Sequence, residues 1–131
     1  MTPSPPKFVV DRCLAKRVPA GLAANGWEVI LIQDVFPHEA QDISDEQWLT
    51  WGNTHADAAL TKDEAIRRSP WYTAAEMPIF CLSRQDLAMD EMLALFLHQA
   101  KRIHRIAASH PGRQFWVLYR DGTMTRSLDR S

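Results

Sequence analysis

The chain has 131 residues, of which 46% are hydrophobic and 24% are charged, so it has the length of one domain and enough apolar material for a core without disulfides. This composition excludes a disordered or collagen-like chain, and no apolar run approaches the roughly 20 residues of a membrane helix. The formal net charge of −1 by itself argues against a nucleic-acid-binding protein.

The charges are, however, unevenly distributed along the chain. Residues 28–57 carry seven acids and neither Lys nor Arg, for a net charge of −7, whereas residues 99–131 carry seven basic and two acidic residues, for a net charge of +5. Residues 1–27 and 58–98 have net charges of +3 and −2. Such asymmetry informs about partners rather than fold, so a near-neutral total does not exclude a phosphodiester substrate.

The cysteines and the first residues of the chain indicate the cellular compartment of the protein. Cys13 and Cys81 are far apart and form no CxxC pattern, and the start of the chain lacks a signal-peptide pattern. We therefore expect a cytoplasmic protein with free thiols and no membrane association.

The first elements in chain order are two short apolar strands. Residues 1–6 are rich in proline and predict a flexible lead-in, which leaves a single domain over residues 7–131. The runs at 8–10 and 27–32 are short, β-branched and almost without polar alternation, which is typical of buried parallel strands.

Helical patterns accompany these strands. Residues 14–24 predict a helix, and its internal proline favours a start later than residue 14. Residues 33–44 predict a polar loop. Ser44 and Gln47 form a capping-box pattern that predicts the start of a helix, which we expect to end at residues 52–53.

The second half of the chain predicts two more strands, two helical segments and a hairpin. In chain order these are a strand at 57–61, a helical turn at 64–68, a strand at 78–82, a long helix at 86–108 and a hairpin of 115–119 and 124–128. Asp121-Gly122 between two apolar runs is a strong hairpin signal.

This order of elements predicts the fold class. Strands that alternate with helices imply a mostly parallel sheet with helices on both faces. We therefore predict a three-layer α/β/α fold with a mostly parallel central sheet and a C-terminal β-hairpin.

Acidic residues follow the predicted strands at the edge where such sheets bind ligands. Asp11 follows the first strand, Asp63 follows the third, and Asp45 and Glu46 begin the helix that leads into the third. Each acid alone is explained as a turn or capping residue. Together they would repel one another unless a cation neutralised them, and hard oxygen ligands suit Mg²⁺ or Mn²⁺.

Four segments carry a resemblance to a known family. They are FVVDRCL (8–14), ISDEQWLTWG (43–52), AALTKDEAIRR (58–68) and RDGTMTRSL (120–128). The chain resembles a PIN-like domain over about residues 8–128, and it is most similar to the branch of VapC-type toxins. The strand-Asp-Arg and Leu-Thr-Lys-Asp elements are moderately specific when they occur together.

The resemblance implies a fold and an activity. PIN-like toxins are metal-dependent endoribonucleases that a cognate antitoxin neutralises. By position, Asp11 and Asp63 match the family's metal ligands, Asp45 or its neighbour Glu46 matches the helix-borne acid, and Thr61 matches the hydroxyl near the site. The resemblance therefore implies a catalytic set of five residues: Asp11, Asp45, Glu46, Thr61 and Asp63. Of these, Asp11, Asp45 and Asp63 are the implied ligands of Mg²⁺ or Mn²⁺.

The same resemblance implies partners. Arg12 and Lys62 are expected near RNA phosphates, and Arg67-Arg68, directly after the acidic motif, are candidate backbone-binding residues. An RNA substrate, a cognate antitoxin protein and a homodimer are the expected partners.

Two departures from the family keep other functions open. Cys13 occupies a position where this branch often has Asn, and no fourth acid is evident beyond the candidates Glu64, Asp86 and Asp90. Three acids favour a one-metal site. The alternative function is a non-catalytic PIN-like binding module. A phospho-accepting receiver-like domain is disfavoured, because the fourth strand lacks a Lys at its end.

Overall fold

In a computed structural model, residues 4–84 and 86–127 can be described, and within them six strands form one sheet. The strands are β1 (Lys7–Val10), β2 (Glu28–Leu31), β3 (Ala58–Thr61), β4 (Pro78–Leu82), β5 (Gln114–Leu118) and β6 (Met124–Ser127). Their order across the sheet is β2-β1-β3-β4-β5-β6. The first five strands are parallel, and β6 pairs with β5 in antiparallel orientation.

Helices cover both faces of this sheet. They are α1 (Arg17–Ala24), α2 (Ile32–Val35), α3 (Asp45–His55), α4 (Ala65–Arg68), α5 (Met89–His98) and α6 (Ala100–Ala108), with a left-handed turn at Pro37–Ala40 and a 3₁₀ turn at Pro70–Ala74. Phe8 and Val10 pack with α1, α5 and α6, whereas Val9 between them packs with α3 on the other face. This alternation is the period of a strand buried on both sides, and it confirms the predicted three-layer fold and its hairpin.

Three predicted elements differ in extent from the observed ones. The long helix at 86–108 is two helices, because α5 ends at His98 and Gln99 adopts a non-helical conformation with ψ 14°. The polar loop at 33–44 contains most of α2 and a left-handed turn. Helix α3 continues to His55 through the predicted stop at residues 52–53.

Packing explains why α3 continues past its predicted end. Asn53 donates from Nδ2 to the carbonyl of Ala74 at 2.7 Å and accepts from the amide of Glu76 at 2.8 Å. A Cβ on Gly52 would lie 2.7 Å from Met77 Cε and 3.1 Å from Val9 Cγ1. The residues that resemble a helix stop therefore serve close packing against β1 and the segment before β4.

Helix α6 holds the C-terminal hairpin through side-chain contacts. Gln99 Nε2 donates to the carbonyl of Gly122 at 2.7 Å, and an Arg102 guanidinium nitrogen donates to the carbonyl of Met124 at 2.7 Å. The Arg102 guanidinium also lies 4.9 Å from the ring centre of Trp116. Gly122 has a φ of +93°, which the hairpin turn requires and which glycine adopts without strain.

The order of the strands separates the two charged parts of the chain. The acidic residues 28–57 supply edge strand β2 and helices α2 and α3, whereas the basic C-terminal part supplies α6 and the opposite edge strand β6. Among the described residues no helix is long and apolar enough to span a membrane. Part of the predicted lead-in (residues 1–3) and the predicted end of the hairpin (Leu128) lie outside the described residues, and residues 4–6 have no regular secondary structure.

Candidate active site

A pocket of about 340 Å³ lies at the carboxyl edge of the sheet and brings together three of the predicted acids. Asp11 directly follows β1, Asp63 lies two residues after β3, and Asp45 is the first residue of α3. All three line this pocket, together with Arg12 and Cys13. The neighbouring parallel strands β1 and β3 end at the same edge of the sheet, so residues far apart in sequence share one wall.

Asp11 is the most buried of these acids, with 7% of its surface exposed. Its Oδ2 accepts hydrogen bonds from Thr61 Oγ1 at 2.7 Å and from Cys13 Sγ at 3.3 Å. Burial raises the pKa of the Asp11 carboxyl, and the nearby charge of Asp45 raises it further, whereas the bonds from Thr61 and Cys13 act in the opposite direction. The hydrogen bonds therefore offset only part of the cost of burying the charged form of Asp11.

Thr61 links the ends of the two strands. Its side chain is fully buried, and its hydroxyl, which donates to Asp11, also accepts from the backbone amide of Asp63 at 3.1 Å. A buried hydroxyl needs partners for both roles, and these two acids supply them. Thr61 therefore fixes the carboxylate of one acid and the backbone of the other.

Local helix signals place the other two acids. Asp45 follows the Ser44 N-cap, whose capping box with Gln47 is fully formed, and Asp45 Oδ1 accepts from the indole nitrogen of buried Trp48 at 2.9 Å. Asp63 Oδ1 accepts from the amide of Ala65 at 3.0 Å as α4 begins. Each acid therefore has one oxygen held by its own helix.

The carboxylate groups of the pocket are chemically suited to bind a hard divalent cation. Three carboxylates line one pocket, and none of them forms an ion pair among the described residues. Carboxylate oxygens in such a set are the ligands that Mg²⁺ and Mn²⁺ prefer. The geometry is not preassembled, because within residues 4–84 and 86–127 no three His, Cys, Asp or Glu side chains stand close enough to hold a metal ion.

None of the three candidates for a fourth acid lines the pocket, and neither does Glu46, the alternative to Asp45. Glu46 is exposed beside Asp45 but does not line the pocket. Asp86 forms an ion pair with Arg84 at 2.8 Å, and Asp90 lies 3.9 Å from Arg17. Glu64 is half-buried at the start of α4 and likewise does not line the pocket.

The predicted RNA-binding residues are close to the acids in sequence, but of the four only Arg12 lines the pocket. Arg12 is exposed and lines it. Lys62 is half-buried between Thr61 and Asp63, and its amide donates to Cys13 Sγ at 3.5 Å. Arg67 and Arg68 belong to α4, where the first is half-buried and the second is exposed.

Several residues of the pocket were missed by the sequence analysis. Cys13, Trp48 and the apolar wall of Ile32, Ala40 and Ile43 were not assigned to the site. The wall includes part of a left-handed turn in which His38, Glu39 and Ala40 have φ values of 56°, 54° and 63°. Three consecutive non-glycine residues in this conformation are unfavourable, so no local sequence signal predicts them.

The fold and the pocket define a mixed α/β protein with a carboxylate-lined site at the carboxyl edge of its sheet. A family model described as a PIN-like domain matches residues 6–84. The match covers more than half of the chain and includes all three pocket acids, so the protein belongs to the PIN-like domain family. No curated protein and no solved structure matches the chain significantly.

Proposed function

We propose that this protein is a Mg²⁺- or Mn²⁺-dependent endoribonuclease that acts in the cytoplasm as the toxin of a toxin–antitoxin pair. The observation that carries the proposal is the pocket shared by Asp11, Asp45 and Asp63, which come from three separate segments and have no ion-pair partner among the described residues. Membership of the PIN-like family, whose domains are generally nucleases, supports hydrolysis of a phosphodiester.

The three carboxylates are the groups that would hold the cation. When bound, a divalent ion supplies a Lewis acid for the phosphoryl oxygen and an activated water for in-line attack. Thr61 orients Asp11 through its 2.7 Å bond, and Trp48 orients Asp45 through its 2.9 Å bond. Because Glu46 lies outside the pocket, Asp45 is the preferred helix-borne acid.

The cations beside the pocket provide for an RNA substrate. Arg12 lines the pocket directly, and Lys62 immediately precedes the ligand Asp63. Contacts of Arg12, Lys62, Arg67 and Arg68 with phosphates would position the strand without reading its sequence. The likeness to VapC-type toxins supports an antitoxin partner and a homodimer.

A cleavage assay with matched variants tests the catalytic proposal. Wild-type protein with Mn²⁺ should cut a fluorescently labelled RNA, and EDTA should stop the reaction. Asp11→Asn and Asp63→Asn should reduce cleavage to background while circular dichroism shows an unchanged fold. Asp86→Asn is the control, because Asp86 is exposed, pairs with Arg84 and does not line the pocket. Equal cleavage by all four proteins would identify a contaminating nuclease and reject the assignment.

A growth assay separates a toxin from an ordinary ribonuclease. Induced expression of the wild-type chain in a bacterial host should arrest growth, whereas Asp11→Asn expressed to the same level should not. Growth arrest by both proteins would show that toxicity does not depend on the pocket. Normal growth with active wild-type enzyme would contradict the toxin role and leave the nuclease role standing.

A non-catalytic PIN-like binding module is the second candidate. The observation that favours it is the absence, among the described residues, of a preassembled group of three metal-binding side chains. Calorimetry with Mn²⁺ distinguishes the two functions. Binding that Asp11→Asn abolishes supports the enzyme, whereas no binding below millimolar concentrations, together with RNA binding in a gel-shift assay, supports the module.

A further inference from the structure

Cys13 lies inside the proposed site, although the sequence assigned it no role there. It follows Asp11 by two residues, lines the same pocket and places its sulfur between the ends of β1 and β3. The sulfur lies 3.3 Å from Asp11 Oδ2 and 3.4 Å from Thr61 Oγ1, and it accepts a hydrogen bond from the Lys62 amide at 3.5 Å. The thiol is therefore part of a network and not only a space-filling group.

The surrounding bonds determine the direction in which the thiol donates. The single hydroxyl proton of Thr61 is directed to Asp11 Oδ2 at 2.7 Å, and the same hydroxyl accepts from the Asp63 amide. Toward Cys13, Thr61 can therefore act only as an acceptor, as the Asp11 carboxylate also does. The thiol is therefore the donor in its 3.3 Å contact with Asp11 Oδ2.

This arrangement leaves the two Asp11 oxygens with different surroundings. Oδ2 accepts from both the hydroxyl and the thiol, whereas among the described residues Oδ1 receives only the Cys13 backbone amide at 3.5 Å. Donors on one oxygen of a carboxylate fix its rotation and leave the other oxygen available, as occurs around metal-ligating carboxylates in general.

We propose that Cys13 is a positioning residue, whose thiol donates a hydrogen bond that holds the Asp11 carboxylate in the orientation needed to bind the divalent cation. The inference rests on the proposed metal-dependent function. A serine hydroxyl could donate the same bond, whereas an alanine could not.

The first test measures Mn²⁺ affinity by calorimetry for wild-type protein and four variants. Cys13→Ala should weaken binding by about tenfold, as is typical when a group that orients a metal ligand is removed, and Cys13→Ser should restore wild-type affinity. Cys81→Ala is the matched control, because that thiol is buried, donates to the Leu82 carbonyl and lies outside the pocket. Asp11→Asn should abolish binding.

The variants separate failure of this inference from failure of the proposed function. If Asp11→Asn abolishes Mn²⁺ binding but Cys13→Ala binds like wild type, the metal site stands and the role of Cys13 is rejected. If Asp11→Asn binds normally, the metal site and the positioning role both fail. Weak Mn²⁺ binding by Cys13→Ser, with tight Cd²⁺ binding by wild type alone, would make the sulfur a metal ligand and overturn its role as a donor.

A second readout needs no metal. The infrared S–H stretching band of Cys13, assigned by its loss in Cys13→Ser and its retention in Cys81→Ala, should lie below the frequency of a free thiol and should move in Asp11→Asn. A band at the free-thiol position that is unchanged in Asp11→Asn would refute the hydrogen bond, whatever the metal experiments show.

Discussion

Replacement of Asp11 by Asn should stabilise the metal-free protein while it removes metal binding. Asp11 is 7% exposed, and its pKa is raised, chiefly because burial disfavours the charged form. To keep this carboxyl charged at neutral pH therefore costs the native state free energy. Asparagine has nearly the same shape and can still accept the Thr61 hydrogen bond, but it carries no charge.

The pH dependence has a definite sign. The pKa of Asp11 is higher in the native state than its ordinary value of 3.8, so Asp11 does not destabilise the protein below that value, and its destabilising effect grows as the pH rises through the native pKa. The advantage of Asp11→Asn in free energy of unfolding should therefore be largest at neutral pH and disappear in acid.

Metal binding should reverse this order of stability. A ligand at 100 times its Kd adds about 2.7 kcal/mol to the free energy of unfolding. For a chain of 131 residues, an unfolding entropy of about 2.1 cal/mol/K per residue converts this into a rise in Tm of about 10 °C. Wild type should show this rise with Mn²⁺, and Asp11→Asn should show none.

Differential scanning calorimetry in EDTA and in Mn²⁺, at pH 7 and at pH 3.5, checks each step. Asp86→Asn is the control and should keep the full Mn²⁺-induced shift, because its carboxylate is exposed and pairs with Arg84. A lower Tm for metal-free Asp11→Asn at pH 7 would refute the argument from burial. A full Mn²⁺ shift in that variant would show that Asp11 does not bind the metal.

Three further predictions concern other parts of the molecule. Glu39→Gly should raise the free energy of unfolding by about 0.5–1 kcal/mol in urea titrations, because glycine adopts the left-handed conformation of exposed Glu39 (φ 54°) without strain. An unchanged free energy of unfolding would show that Glu39 is not strained. Arg102→Met should lower the free energy of unfolding by about 1 kcal/mol, because it removes the hydrogen bond to the hairpin. Lys101→Met on the same helix should leave the free energy of unfolding unchanged. Iodoacetamide should label the native thiols slowly at pH 8, because burial raises the pKa of Cys13 to about 12 and that of Cys81 still further; rapid labelling of native protein, read by intact mass, would contradict this protection.

The parts of the site that were predicted from the sequence depend on local signals. Asp11 and Asp63 follow short apolar strands, and Asp45 follows a Ser44 capping box that the structure contains in full. A strand end and a helix start are each set by a few neighbouring residues, and parallel strands bring their ends to one edge. These two facts suffice to place three distant acids in one pocket.

The parts that were not predicted depend on tertiary contacts. The side chain of Gln99, at the break between α5 and α6, bonds to the Gly122 carbonyl of a hairpin more than 20 residues away, while the apolar periodicity continues across the break. The left-handed residues at 38–40 carry no glycine to indicate them. The role of Cys13 becomes visible only when Thr61 is placed beside it, 48 positions along the chain.

The acidic residues 28–57 supply edge strand β2 and helix α3 on one face of the sheet, whereas the basic C-terminal part supplies edge strand β6 and helix α6 on the other face. We expect this separation of charge to give the molecule an electric dipole moment. A polyanion such as RNA exerts a torque on such a dipole, so the side with β6 and α6 should turn toward it during approach while the side with β2 and α3 turns away. Encounter orientations are therefore biased before any contact forms. At 0.1 M ionic strength the Debye length is about 10 Å, and salt screens this bias at larger distances. The rate of association with RNA should therefore depend on the salt concentration, even though the whole protein is nearly neutral.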